Sequence, residues 1–318
     1  MHNKLKEYNE LSNNNKDQKY KWVNLVSIII LHLIALYSLF VLPCVMSLKS
    51  LILFLVYGSL AGFGVTAGAH RLWCHRTYKA KVPLRIFLAM CYSMSGQNSI
   101  YDWVRDHRIH HAYTETDADP HNSRRGFWFS HVGWLTMNKH PEVIRRGKQV
   151  DMSDIVNDVV AYYHTKFFWV FKIMFTIIIP FYIADFFWNE PKIANILANI
   201  LRYTVILNST WSVNSFAHIY GYKPYNKNIM PSENKWVSFA AMGEGFHNYH
   251  HVFPWDYKTS EFSMYILNPT AMWIDIFAKL GLATDLKTVK QDLINKVKIK
   301  YGENSLINAN EKSKICAS

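Results

Sequence analysis

The chain has 318 residues, half of them hydrophobic and 15% aromatic, and a formal net charge of +12. That is apolar material for a large core, and beside a pI near 9.4 it points to a membrane protein with basic aqueous parts. Its four cysteines, Cys44, Cys74, Cys91 and Cys316, stand at unrelated spacings, which excludes a disulfide framework and a C-x-x-C metal pair.

In chain order, residues 1–21 are polar, rich in Asn and Lys and without apolar periodicity, and are expected to form a disordered tail. Residues 22–43 carry no charged side chain, enough at roughly 1.5 Å per residue to cross about 30 Å of hydrocarbon. The stretch is too long, and starts too late, for a signal peptide. A turn at Ser47–Ser50 leads into a second uncharged span, 51–69, which ends on His70, so the two spans read as a helical hairpin. The second span contains Gly58-x-x-x-Gly62 and Gly64-x-x-x-Gly68, a spacing that lets membrane helices approach closely. Residues 86–101 are also uncharged but short and interrupted by Ser95-Gly96, and are expected as one helix at the interface or packed under the soluble part. A third span, 167–187, is broken up to Ala184 only by Lys172 near its start and by Pro180, and a fourth covers 193–217. Arg202 within the fourth is costly in lipid and is expected to face the bundle or to snorkel.

Five lysines precede the first span and fourteen Lys or Arg lie between Arg71 and Lys166, whereas the two hairpin turns carry one lysine each. By the positive-inside rule both termini and the long loop are cytosolic. The expected architecture is an all-α integral membrane protein with four transmembrane helices and a cytosolic helical cap, 70–166 and 218–282, that gathers the histidines of a metal site. Residues 283–318 are expected as a polar C-terminal tail.

Nine of fifteen histidines account for that site. His107, His110 and His111 fall in D-H-R-I-H-H, His247, His250 and His251 repeat the pattern in H-N-Y-H-H, His70 and His75 sit in H-R-L-W-C-H, and His218 follows Asn214 by four. On a helix the first triplet falls at about 0°, 300° and 40°, so all three share one face that one metal can meet. Two such triplets are hard to produce by chance, and neutral imidazole is the commonest metal ligand. With no cysteine among them, iron, zinc and copper are the candidate metals. His2, His32, His121, His131, His140 and His164 are read as surface or satisfied core residues.

These boxes, from about Trp22 to Leu282, resemble the membrane acyl-CoA desaturases of the stearoyl-CoA type, particularly their insect members. H-R-L-W-C-H at 70–75, H-R-I-H-H at 107–111 and H-N-Y-H-H at 247–251 are similar to the family's three histidine boxes in order and separation. T-D-A-D-P-H-N-S-R-R-G-F-W-F-S-H-V-G-W-L (116–135) and N-S-F-A-H-I-Y-G (214–221) are similar to its connecting signatures. Cys74 departs from the usual serine but lies between the box histidines. The resemblance implies an endoplasmic-reticulum enzyme with two iron ions that takes dioxygen and electrons from cytochrome b5 and its reductase, and introduces a cis double bond into a fatty acyl-CoA, Delta-9 being the family default while insect relatives also act at other positions, Delta-11 among them. Removing hydrogen from an unactivated methylene needs a redox metal, which agrees with iron and disfavours zinc.

The same resemblance implies His70, His75, His107, His110, His111, His218, His247, His250 and His251 as ligands, with Asn214 acting through a water. It implies Asn24, Asn98, Arg105, Asp106 and Lys139 at the CoA headgroup, where Asn138 replaces a common basic residue. Gln97, Trp103, Thr210 and Trp211 would line a bend in the acyl tunnel and Gly58 its floor. The bilayer is a partner and nucleic acid is not. A histidine-box fatty-acid hydroxylase is the nearer alternative and a metal transporter the more distant one; in a transporter the histidines would lie along the spans.

Overall fold

The structure is a computed structural model that describes residues 18–262 and 264–303. α1 (Trp22–Val45) and α2 (Leu48–Phe63) form the expected hairpin, its turn fixed by Ser47, whose side chain accepts from Ser50 N and so caps α2. α2 continues without a break into a π-helical stretch, Gly64–Cys74, well past the expected end at 69. Trp22–Val45, Leu48–Cys74 and Phe168–Trp188 are long and apolar enough to cross a membrane. Phe40 is 74% exposed and Phe186 82%, an outward-facing greasiness that suits lipid.

The chain then folds into short elements at the histidine-bearing end. They are β1 (Lys79–Ala80), α3 (Val82–Met94), α4 (Ile100–Tyr113), α5 (Pro141–Gly147), α6 (Ser153–Asn157) and α7 (Val159–Lys166). The single helix expected over 86–101 is therefore two. Gly96, at φ +60, breaks the path after α3, and the Ser99 side chain accepts from Asp102 N to start α4 afresh. α8 (Phe168–Trp188) follows, with a π-helical stretch at Met174–Ile178 before Pro180, and then α9 (Lys192–Ile219), which packs along α1 and α2. At 28 residues α9 is long enough to span, but Asn195, Asn199 and Arg202 make it more polar than the other three. The turns at the far ends of the two helical pairs are tied together, because Glu190 accepts from Ser47 N at 2.9 Å and Trp188 Nε1 donates to Ser50 Oγ at 2.8 Å.

α10 (Lys235–Ala240), α11 (His247–Val252), α12 (Pro269–Lys279), β2 (Ala283–Thr284) and α13 (Gln291–Tyr301) complete the cap. The main core lies where the π-helical end of α2 meets α3, α4, α6 and α12, with Trp73, Leu88, Tyr92, Ile100, Ile155 and Ile274 buried together. Residues 283–303, expected as a polar tail, dock on the cap. β2 pairs with β1, Ile294 of α13 packs on Tyr225, Tyr249 and Phe253, and Lys298 meets Glu261 at 2.5 Å, so one apolar position per turn docks an otherwise polar helix. At the other end, Lys21 N donates to Thr136 O and Asn138 N to Lys19 O, so residues 18–21 belong to the fold; the disorder expected for 1–17 and the end of the tail, 304–318, lie outside the described residues.

Arg202 faces the bundle, as one of its two expected placements had it, and its partners are backbone. Its guanidinium donates to Met94 O (3.1 Å) and Thr176 O (2.8 Å) and lies 4.9 Å over the Tyr57 ring. The glycines divide by role. A Cβ on Gly64 would stand 2.0 Å from Tyr92 N, so α3 crosses α2 with room for hydrogen alone, whereas at Gly58 the nearest atoms, Arg202 Cγ and Ile206 Cδ1, are 3.8 and 3.9 Å away. Gly64→Ala is therefore expected to destabilise the detergent-extracted protein by about 3 kcal/mol or more, read as a lower melting temperature. Gly58→Ala should leave that temperature where it was.

Candidate metal centre

The nine clustered histidines come from the ends of α2, α4, α9 and α11, and the structure sorts them into two sets. His70, His75, His107, His111 and His250 form one; His110, His218, His247 and His251 form the other, with the ligand atoms of each set within 4.8 Å of one another. The reading in which one metal meets all three histidines of the first triplet is thus corrected. On a helix, residues four apart differ by about 40° and the residue between them in register, three along, lies about 60° to the opposite side. His107 and His111 therefore turn one way and His110 the other; His247 and His251 turn together and His250 apart. Each triplet gives its i, i+4 pair to one set and its i+3 member to the other.

His75 reaches the first set through the π-helix. His75 N donates to His70 O at 3.1 Å, an i→i+5 hydrogen bond that stacks residues five apart, and the two rings lie 4.8 Å centre to centre. In an α-helix those residues would point in different directions.

Inward-facing Nε2 atoms meet across each set. His70 and His250 approach to 3.0 Å, His75 and His107 to 3.1 Å, His111 and His250 to 3.0 Å, His218 and His247 to 2.9 Å, and His247 and His251 to 3.1 Å. A pair of ring nitrogens shares at most one proton, so a knot of them leaves lone pairs facing a common point, the arrangement a cation satisfies. Burial drives the pKa values of His75, His107, His111, His247, His250 and His251 well below the ordinary imidazole value, and the surrounding imidazoles add to it. These rings are neutral at pH 7, the form that binds metal. The donor set fits a pair of metal ions.

Outward-facing nitrogens meet carboxylates. His110 Nδ1 lies 2.9 Å from Asp119 Oδ1 and His218 Nδ1 2.7 Å from Glu115 Oε1. His70 Nδ1 lies 2.8 Å from Glu244 Oε2, close in distance though out of line for a hydrogen bond. Glu244 is also held by Arg71, whose Nε and Nη2 donate to Oε1 at 3.1 and 2.9 Å. Burial pushes the Glu244 pKa up, but Arg71 and His70 outweigh it and keep the group ionised. Such partners fix ring orientation and raise ligand basicity. Sequence reasoning missed all three acids, although Glu115 and Asp119 follow the second box closely and Glu244 precedes the third by three residues. It also passed over His121, which lies 4.3 Å from His110 ring to ring and completes a third group with Asp119.

The other histidines are held in the fold as expected. His32 contacts Ile28 O and Asn208, His131 contacts Ser215 and Asn208, His140 caps α5, and His164 accepts from Ile100 N. His2 lies outside the described residues.

Two cavities meet beside the clusters. One, of about 390 Å³, contains Asn24, Gln97, Asn98, Asp106 and Trp211; the other, of about 450 Å³, runs between α2 and α9 past Gly58 to Phe54. Trp103, His107, Thr210 and Asn214 line both. At the junction Trp103 Nε1 donates to Gln97 Oε1 and Gln97 Nε2 to Thr210 Oγ1, each at 2.9 Å. Lys139 meets Asp106 Oδ2 at 2.5 Å, and Arg105 pairs with Asp102 and Asp106, so these two cations stand behind the first cavity's wall instead of in it.

Apolar helices carrying two histidine sets at one end define a membrane protein with a two-centre histidine site. Residues 46–264 match the family model described as fatty acid desaturase, and the chain belongs to that family. It is 48% identical over 289 residues to stearoyl-CoA desaturase 5 of Bos taurus, covering 91% of this chain and 86% of that one. It is 47% identical over 285 residues to an acyl-CoA Delta-9 desaturase of Acheta domesticus, covering 89% and 79%, and 48% identical over 277 residues to the stearoyl-CoA desaturase of Sus scrofa, covering 87% and 77%.

Losing one outer carboxylate is expected to weaken metal binding about 10–100-fold. Asp119→Asn and Glu115→Gln, purified and assayed by plasma mass spectrometry, should retain less metal than the parent, and His131→Ala as much.

Proposed function

We propose that the protein is an acyl-CoA desaturase that introduces a cis double bond, at Delta-9, into saturated fatty acyl-CoA with dioxygen and electrons from cytochrome b5 and its reductase. The observation that carries this is a pair of cavities, one with a more polar lining than the other, that share Trp103, His107, Thr210 and Asn214 as a common wall, with His70 and His107 of the first histidine set and His247 of the second lining the apolar one. That shape suits a long chain with a polar head, presented to the metals at its middle and not at its end. The relatives named stearoyl-CoA and acyl-CoA Delta-9 desaturases support the same substrate class.

Two iron ions, the first held by His70, His75, His107, His111 and His250 and the second by His110, His218, His247 and His251 with Asn214 through a water, would supply the oxidising power that no side chain has. The chain's own residues position and exclude. Trp103, Gln97 and Thr210, locked by their hydrogen bonds, hold the acyl chain at the corner beside His107, with Trp211 backing the bend. The walls beyond, from Val65 and Val213 to Phe54, keep water from the reacting carbons. Asn24, Asn98 and Asp106 face the headgroup side; Arg105 and Lys139, proposed as the cations for a multiply anionic CoA, are held behind that wall on Asp102 and Asp106 and would meet the headgroup by leaving those acids.

α1, α2, α8 and α9 are proposed as four membrane spans, with 70–166 and 218–282 as the cytosolic cap and the endoplasmic reticulum as the membrane. The inward turn of Arg202 supports α9 as a span, and the lysine and arginine bias of the loops supports the orientation. A net charge of +12 suits an acidic electron donor.

In a desaturase-deficient host fed palmitate or stearate, mass spectrometry is expected to find acids unsaturated at Delta-9, and a hydroxylated product would overturn the reading. Alanine at any of the nine clustered histidines should abolish the product at normal expression, while His131→Ala retains most of it. Gly58→Tyr, its Cβ in contact with Arg202 and Ile206 and its ring directed into the apolar cavity, should lower the eighteen-to-fourteen-carbon product ratio about tenfold; an unchanged ratio would remove Gly58 from the tunnel floor.

A further inference from the structure

Gly58 and Gly62 place no side chain across the deep end of the apolar cavity, so something beyond them must end it. The last side chain there is Phe54, and it is shared: one side lines the apolar cavity, the other a separate void of about 20 Å³, room for about one water. That second space is mixed: Ser50, Tyr57, Asn195, Asn199 and Arg202 supply polar groups to it from α2 and α9, and the rest of its lining, with Pro180 and Ala184 of α8, is apolar.

Arg202 dominates this group. It is 2% exposed, no carboxylate lies within ion-pairing distance of it among the described residues, and its Nε has no hydrogen-bond partner. Two backbone carbonyls and the Tyr57 ring are all that offset its charge. A cation so placed is tolerated only while its surroundings remain polarisable, because burying a charge against purely apolar atoms carries a heavy desolvation cost. Its stem also touches the floor, since Arg202 Cγ stands 3.8 Å from where a Cβ on Gly58 would be.

We propose that Arg202 sets the upper limit on acyl-chain length, by charge and not by bulk. A chain two methylenes too long pushes its methyl end past Phe54 into that void, against the guanidinium and the amide and hydroxyl groups that surround it. Phe54 is the partition and Arg202 the barrier. The proposal rests on the reading of the apolar cavity as the acyl site, and it makes Arg202 a specificity residue that never touches the reacting carbons.

The test compares the parent chain, Phe54→Ala and Phe54→Ala/Arg202→Gln in a desaturase-deficient host supplied with eighteen- and twenty-carbon saturated acids. Glutamine removes the charge yet keeps an amide donor for the Met94 or Thr176 carbonyl. Phe54→Ala opens space but leaves the cation, so twenty-carbon product should stay as scarce as in the parent. The double variant should raise the twenty-to-eighteen-carbon product ratio about tenfold, the discrimination that one or two methylenes normally command. A comparable rise in Phe54→Ala alone overturns the proposal, because the stop is then bulk; so does no rise in a double variant that is monodisperse in detergent. If the double variant does not accumulate, Phe54→Ala decides by itself, an unchanged ratio upholding the barrier and a raised one removing it. A parent chain that makes no unsaturated product strikes the proposed activity instead, which separates the two failures.

Discussion

Crowding nine imidazoles into a dry space is the constraint from which the rest of the cap follows. Left to themselves the rings would present lone pairs to lone pairs, so each must be aimed, and aiming needs a rigid support on the outer side. Glu115, Asp119 and Glu244 supply it, and they are buried acids that need their own partners. Arg71 clamps Glu244, Ser123 and the Glu115 backbone enter the Glu115–Asp119 pair, and the segment after the second box wraps inward to deliver them. The buried Arg71–Glu244 pair also joins the first box to the third, and removing one partner of such a pair typically costs about 3–5 kcal/mol.

The membrane helices answer to the same demand. His70 and His75 share a set only because α2 ends as a π-helix, and that stretch is pressed on α3 closely enough that position 64 accepts no side chain. α4 starts anew at Ser99 so that its histidines, not a continuation of α3, face the cluster. The broken helix path at 95–99 then leaves Gln97 at the corner of the passage, bonded to both Trp103 and Thr210.

Much of this was legible in the amino-acid order. Uncharged stretches disclosed three membrane-length helices, and the histidine spacings disclosed which side chains would gather, because composition and periodicity are local properties. The division of the triplets was not read, although helical angles alone separate His110 from His107 and His111; the angles say which way each ring points but not which helix stands there to receive it. His75 was placed beside His70 without a reason, since an i, i+5 pair has no common face on an α-helix and nothing in G-V-T-A-G-A-H states the wider winding. The partners of Arg202 are carbonyl groups, which every residue carries, so no side-chain pattern announces them. The docking of α13 rests on Ile294 and Val297, which share one face of a lysine-rich segment that composition alone assigns to solvent.

The crossed donation of histidines has a consequence for how the molecule is assembled during synthesis. Four members of the first set lie within residues 70–111 and three members of the second within 218–251, so each set is nearly complete within its own half of the chain. Each lacks one ring, and that ring is held by the other half: His250 for the first, His110 for the second. Neither half can finish its centre alone, and the two are finished by the same event, the docking of α11 against α4. A ribosome that has released only the first half has made a site with four of five rings, held open until the last box arrives, so the protein acquires its two centres together and late, as one closing step.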